Sequence, residues 1–189
     1  MKKISILIAI SLFTICSYAQ LSKGGWITSM QGNGSSSKNF NYKSSSLTLQ
    51  PSVLKLISNN LALGINLNTT FTSGSSPIPS APETISKLNT FNLEAGPVLR
   101  KYFGNYKLKP YAEFGTGWNY TWFNNTIDGK SGKFDDSRFY IKPALGISYW
   151  ISDRIALDMN LSYDLNQEHY TFQLDDWNMN IGFSVKLGK

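Results

Sequence analysis

The sequence predicts an all-β chain folded as an eight-stranded antiparallel up-and-down transmembrane β-barrel, and three observations carry that expectation. Apolar residues recur at every second position, the connections alternate between tight and long, and the surface composition is polar but poor in charge. Of the 189 residues 16% are charged and 14% aromatic, whereas an ordinary soluble domain carries about 25% charged residues. The period is clearest near the end: Ile155, Leu157, Met159, Leu161, Tyr163 and Leu165 alternate with Ala156, Asp158, Asn160, Ser162 and Asp164. That is the pattern of a strand with one apolar face. After residue 20 no unbroken apolar run exceeds three residues, far short of the roughly 20 a membrane-spanning helix needs.

The first element is a leader. Lys2 and Lys3 precede an apolar stretch from Ile4 to Cys16, and Ser17-Tyr18-Ala19 offers small residues where a signal peptidase inspects them. Residues 1–19 are expected to be a cleaved signal peptide and 20–189 the barrel domain. Cys16 is the single cysteine, so the mature domain holds neither a disulfide nor a thiol nucleophile. Bulky Ile15 before it argues against a lipoprotein. Loss of Lys2 and Lys3 lowers the formal charge from +6 to +4. With no GxGxxG, P-loop, HExxH or basic block in the chain, nothing supports a nucleotide enzyme, a zinc protease or nucleic-acid binding.

Strands are then expected at about 24 to 34, 45 to 57, 61 to 72, 90 to 103, 108 to 123, 137 to 151, 155 to 166 and 176 to 188. The turns at 58 to 60, 104 to 107 and 152 to 154 are tight, whereas 35 to 44, 73 to 89, 124 to 136 and 167 to 175 read as four long polar loops. Short turns on one rim and long loops on the other mark a transmembrane barrel. Pro51, Pro97 and Pro143, spaced 46 residues apart, each begin a similar strand, turn and strand unit. A proline inside a strand paired on both sides is unusual, and a bulge at each is the expected accommodation. The first and last strands are expected to pair, which leaves no open edge.

Volume decides which face is inside, because eight strands enclose a bore that side chains fill. Leu63, Ile65, Leu67, Phe71, Phe91, Phe114, Trp118, Trp122, Leu145 and Ile147 would overfill it. Gly64, Asn66, Asn68, Gly96, Gly115, Gly117, Asn119, Ala144, Gly146 and Ser148 would not. The inward set carries charges expected to pair across strands, Lys142 opposite Asp164 and Arg100 diagonal to Glu113. Phe71, Phe91, Trp118, Phe139 and Tyr163 lie at the right distance from the tight turns for a far aromatic girdle, with Phe103 and Tyr149 near the turns.

The signal ending in Tyr18-Ala19-Gln20, the repeated Gly96-Pro97-Val98-Leu99 and Lys142-Pro143-Ala144-Leu145-Gly146 units, the Leu108-Lys109-Pro110-Tyr111 strand start and the turn at Ile151-Ser152-Asp153-Arg154-Ile155 carry a likeness. In them the chain resembles the small outer-membrane β-barrel family common in Bacteroidota and, more distantly, the transmembrane domain of OmpA-like proteins. That resemblance implies a non-enzymatic barrel in contact with outer-membrane lipid and lipopolysaccharide. It supplies no catalytic residue, metal or cofactor. A monomer is expected, with a possible surface ligand held by the long loops.

Two competing readings attach to particular features. A lipid-modifying hydrolase would need a base and a nucleophile within about 3 Å, and His169, beside Glu168 and Tyr170, is the single histidine. A soluble lipocalin-like ligand carrier would turn its apolar face inward. Asp128, Asp135, Asp136, Glu168, Asp175 and Asp176 could supply oxygen to a calcium ion, but their spacing follows no loop motif, and solvated loop charge is the plainer reading.

Overall fold

The computed structural model describes residues 21–39, 42–78, 81–104, 106–127, 130–166 and 177–188. Nine strand segments follow in order: β1 (Trp26–Asn39), β2 (Tyr42–Ser58), β3 (Leu61–Ile78), β4 (Ala81–Tyr102), β5 (Leu108–Ile127), β6 (Lys130–Trp150), β7 (Ile155–Tyr163), β8 (Leu165–Asn166) and β9 (Trp177–Leu187). β7 and β8 are one stave interrupted at Asp164, since both pair with β6 in the same register. Eight staves therefore run antiparallel, each beside its chain neighbour, and β9 returns to pair with β1 from Trp26 to Gly32. The ring is closed. Following the pairings once round it returns to β1 about ten residues further along, a stagger that tilts the strands and leaves a narrow bore.

Three of the four connections expected as long loops are instead strand. β1 and β2 stay paired to Asn39 and Tyr42, β3 and β4 to Ile78 and Ala81, and β5 and β6 to Ile127 and Lys130. These segments lack apolar alternation because they are not bounded by lipid, yet their backbones still pair. Polar cross-strand contacts hold them: Ser35 with Ser46 at 2.8 Å and Ser73 with Asn89 at 2.8 Å. Phe123 stacks on Phe134 at 4.4 Å. Residues 167–175, expected as the fourth loop, and residues 1–19, expected as a signal peptide, lie outside the described residues.

The bulges expected at the repeated prolines are absent. Around Pro51 the β2–β3 pairing stops at Leu49↔Thr69 and resumes at Ser52↔Asn66. Around Pro97 the β4–β5 pairing stops at Ala95↔Trp118 and resumes at Val98↔Gly115. Around Pro143 the gap lies between Ala144↔Ser162 and Ile141↔Leu165. The register is the same on both sides of each gap, so the ladder skips two residues without shifting. Each proline sits where the missing N–H faces that gap, and pairs normally on its other side as Met30↔Pro51, Ile65↔Pro97 and Phe114↔Pro143. At the second gap the strands come unusually close, since a Cβ on Gly96 would stand 1.8 Å from the Thr116 carbonyl oxygen. Only glycine fits there.

The large apolar side chains face outward. Ile65, Leu145, Ile181 and Trp118 are exposed, while Ala62, Ser148, Ser184 and Asn160 are buried. A lipocalin-like carrier has the opposite arrangement, so this ring is a transmembrane barrel with its apolar wall against lipid. Phe71, Trp118, Phe103 and Tyr149 are exposed where girdles are expected. Tyr163 is a correction: it is buried against Trp177, ring centroids 5.1 Å apart, because the stave breaks beside it.

Leu161, outward near mid-stave, and Ser162, inward and bonded to the Asn178 carbonyl at 3.3 Å, test this assignment. Leu161→Arg is expected to cost about 2–4 kcal/mol and Ser162→Ala under about 1 kcal/mol in reversible folding into lipid. Equal costs would mean that the faces are reversed.

The polar interior as the candidate functional site

Inward parity gathers the buried polar residues into three tiers along the bore. The lowest centres on Arg100, which is 1% exposed. Its Nε donates to Glu113 Oε2 at 2.5 Å, and its Nη1 donates to the Tyr102 hydroxyl at 3.2 Å and lies 3.9 Å from Asp158 Oδ2 across the bore. Asp158 also accepts from the hydroxyls of Ser148 and Ser184. The guanidinium lies 4.5 Å from the Tyr111 ring centroid, a contact strengthened by exclusion of water. Tyr111 lies over its register partner Gly146, where any Cβ would stand 2.3 Å from the ring. Toward the tight turns the bore is packed by Leu21, Ile27, Leu54, Leu56, Tyr102 and Trp150 among others.

The middle tier is a chain of amides. Asn160 Nδ2 donates to Gln31 Oε1 at 2.7 Å, Asn180 Nδ2 donates to Asn160 Oδ1 at 3.1 Å and Gln50 Oε1 at 3.4 Å, and Gln31 Nε2 reaches the Tyr111 hydroxyl at 3.3 Å. Neutral groups that satisfy one another in this way hold facing strands together at no cost in buried charge.

The uppermost tier joins Lys142, Glu94 and Asp164. Lys142 Nζ donates to Glu94 and lies 3.4 Å from Asp164 Oδ2. Asn68 and Asn119 also donate to Glu94, at 2.9 and 3.4 Å. One ammonium thus serves two carboxylates. Above it is a cavity of about 480 Å³ whose wall includes Gln50, Asn68, Glu94, Lys142, Ser162 and Asp164. The break in the β7–β8 stave, opposite the Pro143 gap, lets Asp164 reach this tier.

Of the residues singled out in the sequence, Arg100 and Glu113 stand directly opposite each other in register where a diagonal was expected. The offset arises because the turn after β4 is not centred on residues 104 to 107. Lys142 and Asp164 are brought together, but the sequence reading missed Glu94 as a partner of Lys142 and Asp158 as a partner of Arg100. Inward parity on β4 and β7 was the signal that could have found them. Asp135 and Asp136 lie on β6, where Asp136 accepts from Arg138 Nε at 2.5 Å. Asp128, Glu168, His169, Asp175 and Asp176 lie outside the described residues.

Because Lys142 has two partners, removing it leaves two uncompensated carboxylates. Lys142→Met is expected to destabilise the barrel by about 3 kcal/mol in thermal unfolding in detergent. Adding Glu94→Gln should recover more of that loss than adding Asp164→Asn, since Glu94 is the more enclosed partner. Strict additivity of the single and double losses would refute the coupling.

Neither protein-family models nor curated proteins give a match to this chain. Among solved structures the chain is similar to the outer membrane protein OprG from Pseudomonas aeruginosa, at 15% identity over 92% of this chain and 100% of that one, with a TM-score of 0.61. It is also similar to the N-terminal β-barrel domain of Pseudomonas aeruginosa OprF, at 12% identity over 87% and 98% with a TM-score of 0.49. For Neisserial surface protein A the values are 15% identity over 87% and 95%, with a TM-score of 0.44. At such identities the likeness extends to the fold alone: an antiparallel barrel of outer-membrane type.

Proposed function

We propose that the mature chain is a monomeric, non-enzymatic outer-membrane barrel, exported by residues 1–19, whose bore is closed to solutes and whose extended rim serves structure or surface interaction. The observation that carries this reading is the Arg100 tier. Arg100, Tyr102, Tyr111, Trp150 and Asp158 are each no more than 2% exposed, and they bridge β4, β5, β6 and β7. A charged group so enclosed is tolerable only with its partners in place, so the tier is expected to stay shut. The polar cavity above it then ends blind, as a vestibule. The outward apolar wall supports a membrane location, because no other part of a single domain could cover it. The paired strands above the girdle form a rigid rim, suited to presenting a surface.

Two measurements test the reading. Fractionation is expected to recover the protein in the outer membrane, starting at Gln20 and soluble only with detergent; a monodisperse protein in plain buffer would overturn it. In planar bilayers the wild type is expected to give no wide, steady conductance. The double change Arg100→Ser with Tyr111→Ala, which empties the tier, should raise the conductance measurably. A wide steady wild-type current would make the chain a pore.

A further inference from the structure

On the outer wall, above the aromatic girdle, one cross-strand row holds three lysines. Lys38 on β1 stands directly opposite Lys43 on β2, Lys43 opposite Ser75 on β3, and Ser75 opposite Lys87 on β4. Like charges directly opposed on a ladder destabilise it. Among the described residues no carboxylate pairs with any of the three. Together they line a hollow of about 500 Å³ that also includes Ser45, Ser73 and Asn89. Those last three residues also line a second hollow, of about 720 Å³, whose wall is mainly apolar, with Leu47, Phe71, Phe91 and Trp122, and carries the charged residues Lys133 and Asp135 at its β6 side. Phe71, Phe91 and Trp122 form one aromatic face, with centroid separations of 4.8 and 5.3 Å. The two hollows are therefore one surface, cationic above and apolar below.

Height identifies what such a surface meets. Ser75 is four residues beyond Phe71 on β3, and Lys87 four beyond Phe91 on β4. At about 3.3 Å per residue and a tilt near 45° the lysines stand roughly 9 Å above the aromatic belt, which marks the edge of the hydrocarbon. That is headgroup level. An anion bound there would relieve the repulsion between Lys38 and Lys43, and an acyl chain hanging from it would descend along Leu47, Phe71 and Phe91.

We propose that the outer wall of β1 to β5 is a binding site for a phosphorylated lipid of the outer leaflet, with Lys38, Lys43 and Lys87 holding phosphate and the Leu47–Phe71–Phe91–Trp122 groove holding an acyl chain. The proposal rests on the membrane-barrel reading and commits to a lipid source for the phosphate. A soluble polyanion would engage the lysines but has no use for the apolar groove.

The test uses the full mature barrel refolded into phosphatidylcholine nanodiscs, with retained ligand counted by native mass spectrometry. Three probes are titrated: hexa-acylated lipid A with both phosphates, the same lipid without phosphates, and the water-soluble phosphorylated disaccharide without acyl chains. The first is expected to bind, and the other two at least tenfold more weakly. Lys38→Gln, Lys43→Gln and Lys87→Gln combined should weaken binding of the first roughly a hundredfold, since each lysine near an anionic surface contributes about a factor of five. Lys55→Gln with Lys101→Gln, on the opposite rim, should leave it unchanged. Equal binding of the phosphate-free lipid, equal binding of the soluble disaccharide, or no effect of the triple change would each overturn the proposal. Failure to insert into neutral nanodiscs would instead overturn the membrane-barrel reading on which it rests.

Discussion

The volume of an eight-stranded bore is the constraint on which the rest of this structure depends. Period two in the sequence divides each stave into two sets of side chains but does not say which set is enclosed. With eight staves and a stagger of about ten residues, the space within cannot take the Trp, Phe and Leu set. The small set goes inside, and the apolar set must meet a medium that welcomes it. From this follow the lipid-facing wall and the need to close the ring by pairing β1 with β9, because an open edge in hydrocarbon would leave backbone groups unpaired.

The same limit shapes the interior. A bore lined only by Gly, Ser and Asn would be wet and wide, but along its length the chain places larger groups where they can be partnered. At the tight-turn end Tyr102, Tyr111 and Trp150 fill space directly, and Gly146 removes its own side chain so that Tyr111 can lie flat. Above them Arg100 is held by Glu113, Tyr102 and Asp158. Higher still, Lys142 is shared between Glu94 and Asp164 at the wall of the polar cavity. Each charge is matched from a different stave, so the tiers tie the wall across the bore as well as fill it. The repeated prolines belong to the same economy of space: each removes one N–H at a place where the ladder already skips two residues, and the register survives.

Much of the fold was legible in the sequence because the membrane imposes a strict rule over the span it covers. The eight staves, the short connections after β2, β4 and β6, and the outward Leu63, Ile65 and Trp118 all follow from alternation. Beyond the hydrocarbon the rule lapses, so the upper parts of β1 to β6, rich in Ser, Thr and Asn, read as loops although their backbones are paired. In the interior, adjacent strands suggested Lys142 with Asp164 and Arg100 near Glu113. The contacts of Lys142 with Glu94 and of Arg100 with Asp158 skip over a stave or cross the bore, and no adjacent-strand register reveals them. The lysine row was hidden for a related reason: Lys87 lies more than 40 residues beyond Lys38 and Lys43 in sequence, and the three line up only when the supposed loops are seen to be strands.

The central claim, that the bulky face meets lipid and the small face encloses the bore, is tested most directly by single cysteines carrying a fluorophore, since residues 20–189 contain no cysteine. Probes at Leu145, Ile147 and Ile181 should be quenched strongly by lipids brominated on their acyl chains, whereas probes at Ala144, Ser148 and Ser184 should not. Strong quenching of the second group, with the first reached only by aqueous quenchers, would contradict the account and turn the barrel inside out.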